Sequence, residues 1–242
     1  QMAVFIVDDE GRFVREAETD EIGVVCIKGP NVFNGYLDEA HNVGIWPKEG
    51  WFNTGDLGRQ DADCYFWLTG RKKELIIRGG HNIDPAFIEE PLYRLPGIQV
   101  AAAVGRPDPH AGEVPVAYVQ LQEDADLTSE QILDYLKQEV GERAAVPKEV
   151  SILKEMPLTP VGKIFKPALR WDAVKRVYDA EIKALGDMVD SIDVKVAEDK
   201  VHGSLATLTI KPASGISEKE IKDRVNEILA RYTVQYRLAI KM

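Results

Sequence analysis

Four short stretches of the sequence carry residue types that could do chemistry, and the last of them holds a single lysine on a stiffened loop. Residues 156–164 read Met-Pro-Leu-Thr-Pro-Val-Gly-Lys-Ile, so that two prolines and Gly162 precede Lys163. A lysine held on such a loop can act as a point charge for a phosphate or a carboxylate. Taken alone, the same stretch also fits an ordinary surface lysine in a turn.

Two earlier stretches place polar groups next to glycine. Residues 51–58 read Trp-Phe-Asn-Thr-Gly-Asp-Leu-Gly. Gly55 lets the backbone approach a ligand closely, and Asp56 could accept hydrogen bonds from two adjacent sugar hydroxyls. An aspartate in a glycine-flanked turn is otherwise a turn former. Residues 29–36, Gly-Pro-Asn-Val-Phe-Asn-Gly-Tyr, favour a turn-rich β connection when read alone.

The remaining stretch, residues 70–83, combines a cationic run with a pair of glycines. Three successive cations, beginning at Arg71, usually form a solvated patch, but here they lie between a β-rich and a mixed region, where a hinge would lie. Gly79 and Gly80 lack the spacing of a phosphate-binding loop, yet they permit close passage of a slender chain. His81 is predicted to be structural.

The elements that must position these residues predict an α+β fold in three parts. Residues 1–70 contain short strands separated by turns, which favours a small β-barrel-like subdomain or a distorted sheet. Residues 71–172 form a compact α+β module, with a helix that begins near Thr128. Residues 173–242 predict a small β–β–α–β appendage. Because residues 1–7 already read as a strand, we expect further sequence upstream.

Composition excludes several classes of function. The 242 residues are 45% hydrophobic and 29% charged, with a formal net charge of −10. This balance argues against a nucleic-acid partner and against an anionic membrane surface. Cys26 and Cys64 have no Cys or His at ligand spacing, which excludes a zinc knuckle and a disulfide framework and favours a reducing, cytoplasmic compartment. The sequence shows no signal peptide or membrane span.

In this order and at these distances, the stretches closely resemble the adenylate-forming superfamily of acyl-CoA synthetases, luciferases and peptide-synthetase adenylation domains. The resemblance is carried by Trp-Phe-Asn-Thr-Gly-Asp, by Gly-Arg-Lys-Lys-Glu ending in Arg-Gly-Gly, and by Thr-Pro-Val-Gly-Lys. It covers residues 1–172 and is highly specific as a set. The chain is identified by this resemblance as the C-terminal part of an AMP-forming acyl-CoA synthetase.

The resemblance implies a nucleotide site and a hinge. Asp56 and Arg71 would bind the ribose hydroxyls of ATP or AMP. Residues 1–70 would be the β-rich end of a large N-terminal domain. Lys73 would be the hinge about which residues 71–172, a mobile C-terminal lid, rotate.

The resemblance also implies a catalytic lysine and a path for CoA. Lys163 would bridge the substrate carboxylate and the α-phosphate as pyrophosphate departs. After rotation, Gly79 and Gly80 would line the tunnel for the pantetheine of CoA. ATP, Mg²⁺, CoA and a carboxylic acid are thus implied as cofactors and substrates, with the Mg²⁺ ligands outside this sequence.

The sequence departs from the family in two places. Residues 164–167 read Ile-Phe-Lys-Pro, where relatives often carry paired arginines. The family's Gly-, Ser- and Thr-rich phosphate loop and its acyl pocket are absent from the 242 residues. We therefore predict that this chain alone neither adenylates nor selects an acid.

The sequence also allows other interpretations of the acyl acceptor and of residues 173–242. The enzyme could load a carrier protein or another acceptor, and a non-enzymatic module could sense nucleotide or bind a partner, although the joint retention of Lys163, Asp56 and Arg71 argues against a mere module. Residues 173–242 exceed the usual family length. They favour docking or homo-oligomerisation because a β–β–α–β unit presents an edge strand. Ser204 only faintly resembles a carrier-protein serine.

Overall fold

The computed structural model describes residues 1–71, 74–199 and 203–241, and it divides the chain into two compact units. The first unit is Gln1–Leu75 and the second is Ile76–Met242. Both are built on β-sheets, and the second adds four α-helices, which confirms the predicted α+β class. Within the described residues, no helix is both long enough and apolar enough to span a membrane.

The first unit is a five-stranded antiparallel sheet. Its strand order is β2-β1-β3-β4-β5. Residue bounds are β1 Met2–Val7, β2 Phe13–Glu16, β3 Gly23–Ile27, β4 Phe52–Gln60 and β5 Phe66–Arg71.

This first sheet is open, with β2 and β5 as its outer strands, so it is a distorted sheet and not a closed barrel. A small core forms around Phe5, Val24 and Cys26, which are all buried. Burial raises the pKa of the Cys26 thiol to about 12, so this cysteine stays a neutral, unreactive core residue. The sequence favours a strand from Cys64 to Leu68, but Cys64 lies in the turn before β5, with a φ of 66°.

The second unit begins with a sheet of five strands, here called the lid sheet. It contains β6 Ile76–Arg78, β7 His81–Ile83, β8 Ile98–Asp108, β9 Gly112–Leu121 and β10 Val150–Leu153. Strand β8 pairs with β9 along its whole length. The other edge of β9 is shared by β6, paired at Gly112, and by β10, paired from Ala117 to Gln120.

Helices cover both faces of the lid sheet. The helices are α1 Ala86–Arg94, α2 Ser129–Glu139 and α3 Lys166–Glu181. Ala101 and Ala103 of β8 pack in the core that contains α1 and α2, whereas Ala102 and Val104 pack against Leu169 of α3. Burial on both faces explains why β8 and β9 read as continuous apolar runs without alternation.

The appendage has its own sheet, formed by β11 Val189–Asp199, β12 Gly203–Pro212 and β13 Gln235–Ile240, with helix α4 Glu218–Leu229 between the last two strands. Strand β12 is central, antiparallel to β11 and parallel to β13. Ser217 caps α4 in a reciprocal pair of hydrogen bonds with Glu220, as the sequence predicts.

Helix α3 belongs to two cores. Leu169 and Ala173 pack against the lid sheet, and Val174 and Tyr178 pack in the appendage core. The sequence favours a helix from Trp171 to Leu185. The observed helix begins five residues earlier, at Lys166, because Pro167 is well suited to a first turn. The lid sheet and the appendage sheet are therefore joined by one continuous helix, which runs through residues 172 and 173.

Candidate functional site

Asp56 and Arg71 form an ion pair across two neighbouring strands. They are directly opposed in the β4–β5 register, and Arg71 Nε donates to Asp56 Oδ1 at 2.9 Å. The Asp56 side chain is 29% exposed and the Arg71 side chain 62% exposed. The pair thus combines a partly sheltered carboxylate with a guanidinium that reaches solvent.

A bulge in β4 positions Asp56. Between the residue pairs Val24–Leu57 and Cys26–Asn53, β4 contains three residues and β3 only one, so β4 has two extra residues there. Thr54 Oγ1 fills the bulge, donating to the carbonyl of Val25 at 2.8 Å and accepting from the amide of Asp56 at 3.1 Å. The predicted glycine-flanked turn is therefore a bulge within a strand. Bulges commonly re-aim a side chain beside a functional site.

Gly55 supplies the backbone conformation that this bulge needs. Its φ is 77°, a left-handed value that favours glycine. A Cβ at Gly55 would meet no atom within 4 Å, so the requirement is conformational and the space beside the residue is open.

The two glycines of the cationic stretch form the turn of a hairpin. Strands β6 and β7, joined by Gly79 and Gly80, are here called the glycine hairpin. The two φ values are 55° and 87°, and two successive left-handed residues are typical of the type I′ turn that fits strand twist. Both glycines are exposed, and a Cβ on either would meet nothing within 4 Å.

Lys163 lies on a tightly held loop. Residues 157–165, here called the lysine loop, connect β10 to α3. Thr159 closes this loop through three hydrogen bonds: its amide donates to the Lys163 carbonyl at 2.7 Å, its carbonyl accepts from Gly162 at 2.8 Å, and its Oγ1 accepts from the Lys163 amide at 3.1 Å. Gly162 has a φ of 78°. The Lys163 backbone is thereby fixed while its side chain is exposed.

The lysine loop and the glycine hairpin lie at opposite ends of β9. The hairpin joins β9 at Gly112. The strand that precedes the lysine loop pairs with Gln120, and Gln120 Oε1 accepts from the Met156 amide at 2.7 Å. Gly112 and Gln120 are eight residue steps apart along the strand, which corresponds to about 26 Å.

Residues 164–167, which differ from the usual family pattern, include a second lysine, and this lysine forms an ion pair. Lys166 Nζ lies 2.9 Å from Glu89 Oε1, with side chains 14% and 19% exposed. Glu89 also accepts a hydrogen bond from the amide of Ala103 on β8. This lysine therefore ties the start of α3 to α1 and to the lid sheet.

Lys73 and Ser204 are the two remaining residues that the sequence singled out. Lys73, the predicted hinge, lies outside the described residues. Ser204 lies in strand β12, paired with Glu198, and does not begin a helix as the carrier reading would require.

A comparison with protein families matches residues 88–163 to the AMP-binding enzyme C-terminal domain. The matched range ends on Lys163 and includes most of the lid sheet. It begins after Asp56, Arg71 and the glycine hairpin. The family relationship of those residues is therefore supported by the longer pairwise match.

Curated relatives match a longer part of the chain. It is 46% identical over 202 residues to marinolic acid–CoA ligase of Pseudoalteromonas sp. (strain SANK 73390), covering 84% of this chain and 31% of the relative. It is 42% identical over 173 residues to indoleacetate–CoA ligase of Aromatoleum aromaticum, covering 72% of this chain and 33% of that relative. The chain spans about a third of the length of these relatives. The first match, at 202 residues, is too long to stop at residue 172 and extends into the appendage.

Solved structures also match this chain. The ATP-bound MatB of Rhodopseudomonas palustris matches with a TM-score of 0.63 and 31% identity, over 70% of this chain and 33% of that one. The amide bond synthetase McbA of Marinactinospora thermotolerans matches with a TM-score of 0.59 and 31% identity, over 70% of this chain and 34% of that one. Together these matches confirm the resemblance to the adenylate-forming superfamily.

Proposed function

Because this chain belongs to the adenylate-forming enzymes through its AMP-binding C-terminal domain, we propose that it is the C-terminal part of an acid–CoA ligase. The ligase activates a carboxylic acid with ATP to an acyl-adenylate and then transfers the acyl group to CoA, releasing AMP. Two of the most similar curated relatives are named as acid–CoA ligases, which supports CoA as the acceptor.

Asp56 and Arg71 fit a site for the ribose of ATP. A carboxylate can accept several hydrogen bonds, and the bond from Arg71 Nε to Oδ1 fixes its orientation. Vicinal hydroxyls can then donate to the remaining lone pairs. The β4 bulge places Asp56 next to Gly55, where an added Cβ would meet no atom within 4 Å.

Lys163 fits the charge requirement of adenylation. Negative charge builds on the phosphoryl oxygens as the carboxylate attacks and pyrophosphate leaves. A cation that is already in place stabilises that transition state more than the ground state. Thr159 fixes the Lys163 backbone in advance, so the flexible side chain is the only part that must be ordered.

The single observation that carries the proposal is the separation of the lysine loop from the glycine hairpin along β9. Two surfaces at opposite ends of one rigid sheet suit two successive half-reactions, with Lys163 serving adenylation and Gly79 and Gly80 serving the passage of pantetheine. Rotation about Lys73 would exchange the two surfaces, a domain movement of the hinge type. ATP would act as its Mg²⁺ complex, with metal ligands outside this chain, and the use of ATP and CoA fits the cytoplasm.

The proposal is tested by AMP release from ATP in the full-length ligase, over a panel of carboxylic acids, with and without CoA. We expect rapid AMP release that depends on both one class of acid and CoA. Failure of every acid to elicit pyrophosphate exchange would overturn the assignment as an adenylating enzyme.

One observation supports a second kind of acceptor for the acyl group. The amide bond synthetase McbA resembles this chain as closely in identity as MatB does, so the same lid fold serves more than one kind of acceptor. In that alternative, the acyl-adenylate passes to an amine or to a carrier protein. AMP release that is indifferent to CoA but stimulated by an amine or carrier would favour it.

We further propose that the appendage supports a homo-oligomer. Strands β11 and β13 are the outer strands of the appendage sheet, and an outer strand presents backbone groups that can pair with a second copy. Light scattering on the full-length ligase should give a dimer or larger assembly that is lost when residues 235–241 are deleted. A monomer at all concentrations would contradict this role.

A further inference from the structure

Glu113 joins the glycine hairpin to the body of the lid sheet. It lies on β9, one residue after the Gly112 position that pairs with Arg78 of β6. Glu113 Oε2 accepts a hydrogen bond from the Ile77 amide at 3.0 Å. Ile77 is two residues before Gly79, so this carboxylate holds the strand that leads directly into the turn.

Gly105 makes room for this carboxylate. A Cβ at Gly105 would lie 2.5 Å from Glu113 Oε2 and 2.6 Å from its carboxyl carbon. The φ of Gly105 lies outside the left-handed region, so the glycine is required for space and not for backbone conformation. Glu113 therefore lies over β8 at Gly105 while it binds β6 at Ile77.

Additional contacts hold the glycine hairpin at the same end of β9. The Gly79 amide donates to the carbonyl of Ala111 at 2.8 Å, and the Arg78 guanidinium donates to the carbonyl of Ala144. The lysine loop is held by a separate set of bonds centred on Thr159, at the other end of the strand. The two ends can therefore be perturbed independently.

We propose that Glu113 is a positioning residue for thioester formation, acting through the glycine hairpin, and that Gly105 is needed to place it. This inference rests on the proposed function, in which Gly79 and Gly80 border the path of CoA. Because the β6–β9 pairing has a single residue pair, Arg78 with Gly112, the bond from the Ile77 amide to Glu113 is one of the few contacts that set the register of β6 against β9. Loss of that bond displaces the hairpin and leaves the Thr159 network unchanged.

The test compares Glu113→Ala, Glu113→Gln and Gly105→Ala in the full-length ligase. Adenylation is measured by ATP–pyrophosphate exchange, and thioester formation is measured in single turnovers from preformed acyl-adenylate. Glu113→Ala should raise the KM for CoA and slow thioester formation by about tenfold, while exchange and the KM for ATP stay within about twofold. Glu113→Gln keeps an oxygen acceptor and should recover most of the loss.

Gly105→Ala provides an independent variant, because the new methyl group displaces a flexible carboxylate rather than the backbone. It should reproduce the CoA defect of Glu113→Ala. Glu155→Ala, which removes an exposed carboxylate after β10, serves as the matched control and should change neither half-reaction. Equal loss of both half-reactions in all three variants, or no loss in any, would overturn the inference. Absence of CoA-dependent turnover in the wild type would instead overturn the proposed function.

Discussion

Asp56 and Arg71 oppose each other directly across β4 and β5, with Arg71 Nε 2.9 Å from Asp56 Oδ1. Fifteen positions separate the two residues in the sequence, and the strand pairing brings them together. The relationship gives the proposed ribose site a preformed geometry, since the guanidinium orients the carboxylate before any nucleotide arrives.

Replacement of Asp56 should weaken the use of ATP. Asp56→Ala removes a charged acceptor, and hydrogen bonds to charged groups contribute about 1.5–3 kcal/mol. The KM for ATP in pyrophosphate exchange should rise roughly 10- to 100-fold. Glu21→Gln is the control, because it alters another ion pair of the first unit, between Glu21 and Arg15. If the Asp56 and Glu21 variants behave alike, Asp56 has no role in nucleotide binding.

Thr159 should matter to Lys163 through its hydroxyl. Thr159→Val keeps the shape of the side chain but removes the acceptor for the Lys163 amide, so adenylation should slow by about tenfold. Thr159→Ser retains the oxygen and should stay close to the wild type. Thioester formation from preformed acyl-adenylate should be unchanged in both variants. An equal effect of serine and valine would show that the hydroxyl does not position the lysine.

Tyr178 should stabilise the junction of the lid sheet with the appendage. It is fully buried on α3 and donates from its hydroxyl to the carbonyl of Val234 at 2.6 Å; burial raises the pKa of this phenol, so it remains a donor. Tyr178→Phe should lower the free energy of unfolding by about 1–2 kcal/mol, because a partly buried carbonyl loses its hydrogen-bond donor.

Urea denaturation of the chain measures this loss. Tyr65→Phe is the control, because Tyr65 is 68% exposed, so its effect should stay within about 0.5 kcal/mol. Similar stabilities for the two variants would exclude an energetic role for the Tyr178 hydroxyl.

The sequence predicted the type of most elements because their signals are local. The stretch Ser217-Glu218-Lys219-Glu220 has a capping-box pattern, and this pattern predicted the start of α4. In the same way, the apolar periodicity after Thr128 predicted α2.

Features that depend on strand pairing could not be predicted. The β4 bulge at Asp56 exists only relative to β3, and a glycine next to an aspartate reads locally as a turn. The contact of Glu113 with Gly105 depends on the register of β8 against β9. The separation of Lys163 from the glycine hairpin depends on how β6 and β10 share one edge of β9, which no local pattern encodes.

The most direct test of the account compares the two half-reactions of the full-length ligase in the wild type, Lys163→Ala and Lys154→Ala. Lys154 is an exposed lysine that follows β10, so its loss controls for charge. We expect Lys163→Ala to lower the adenylation rate by about 10²- to 10³-fold, while thioester formation from preformed acyl-adenylate stays within about twofold. Equal loss of both half-reactions, or adenylation that matches the Lys154 variant, would contradict it.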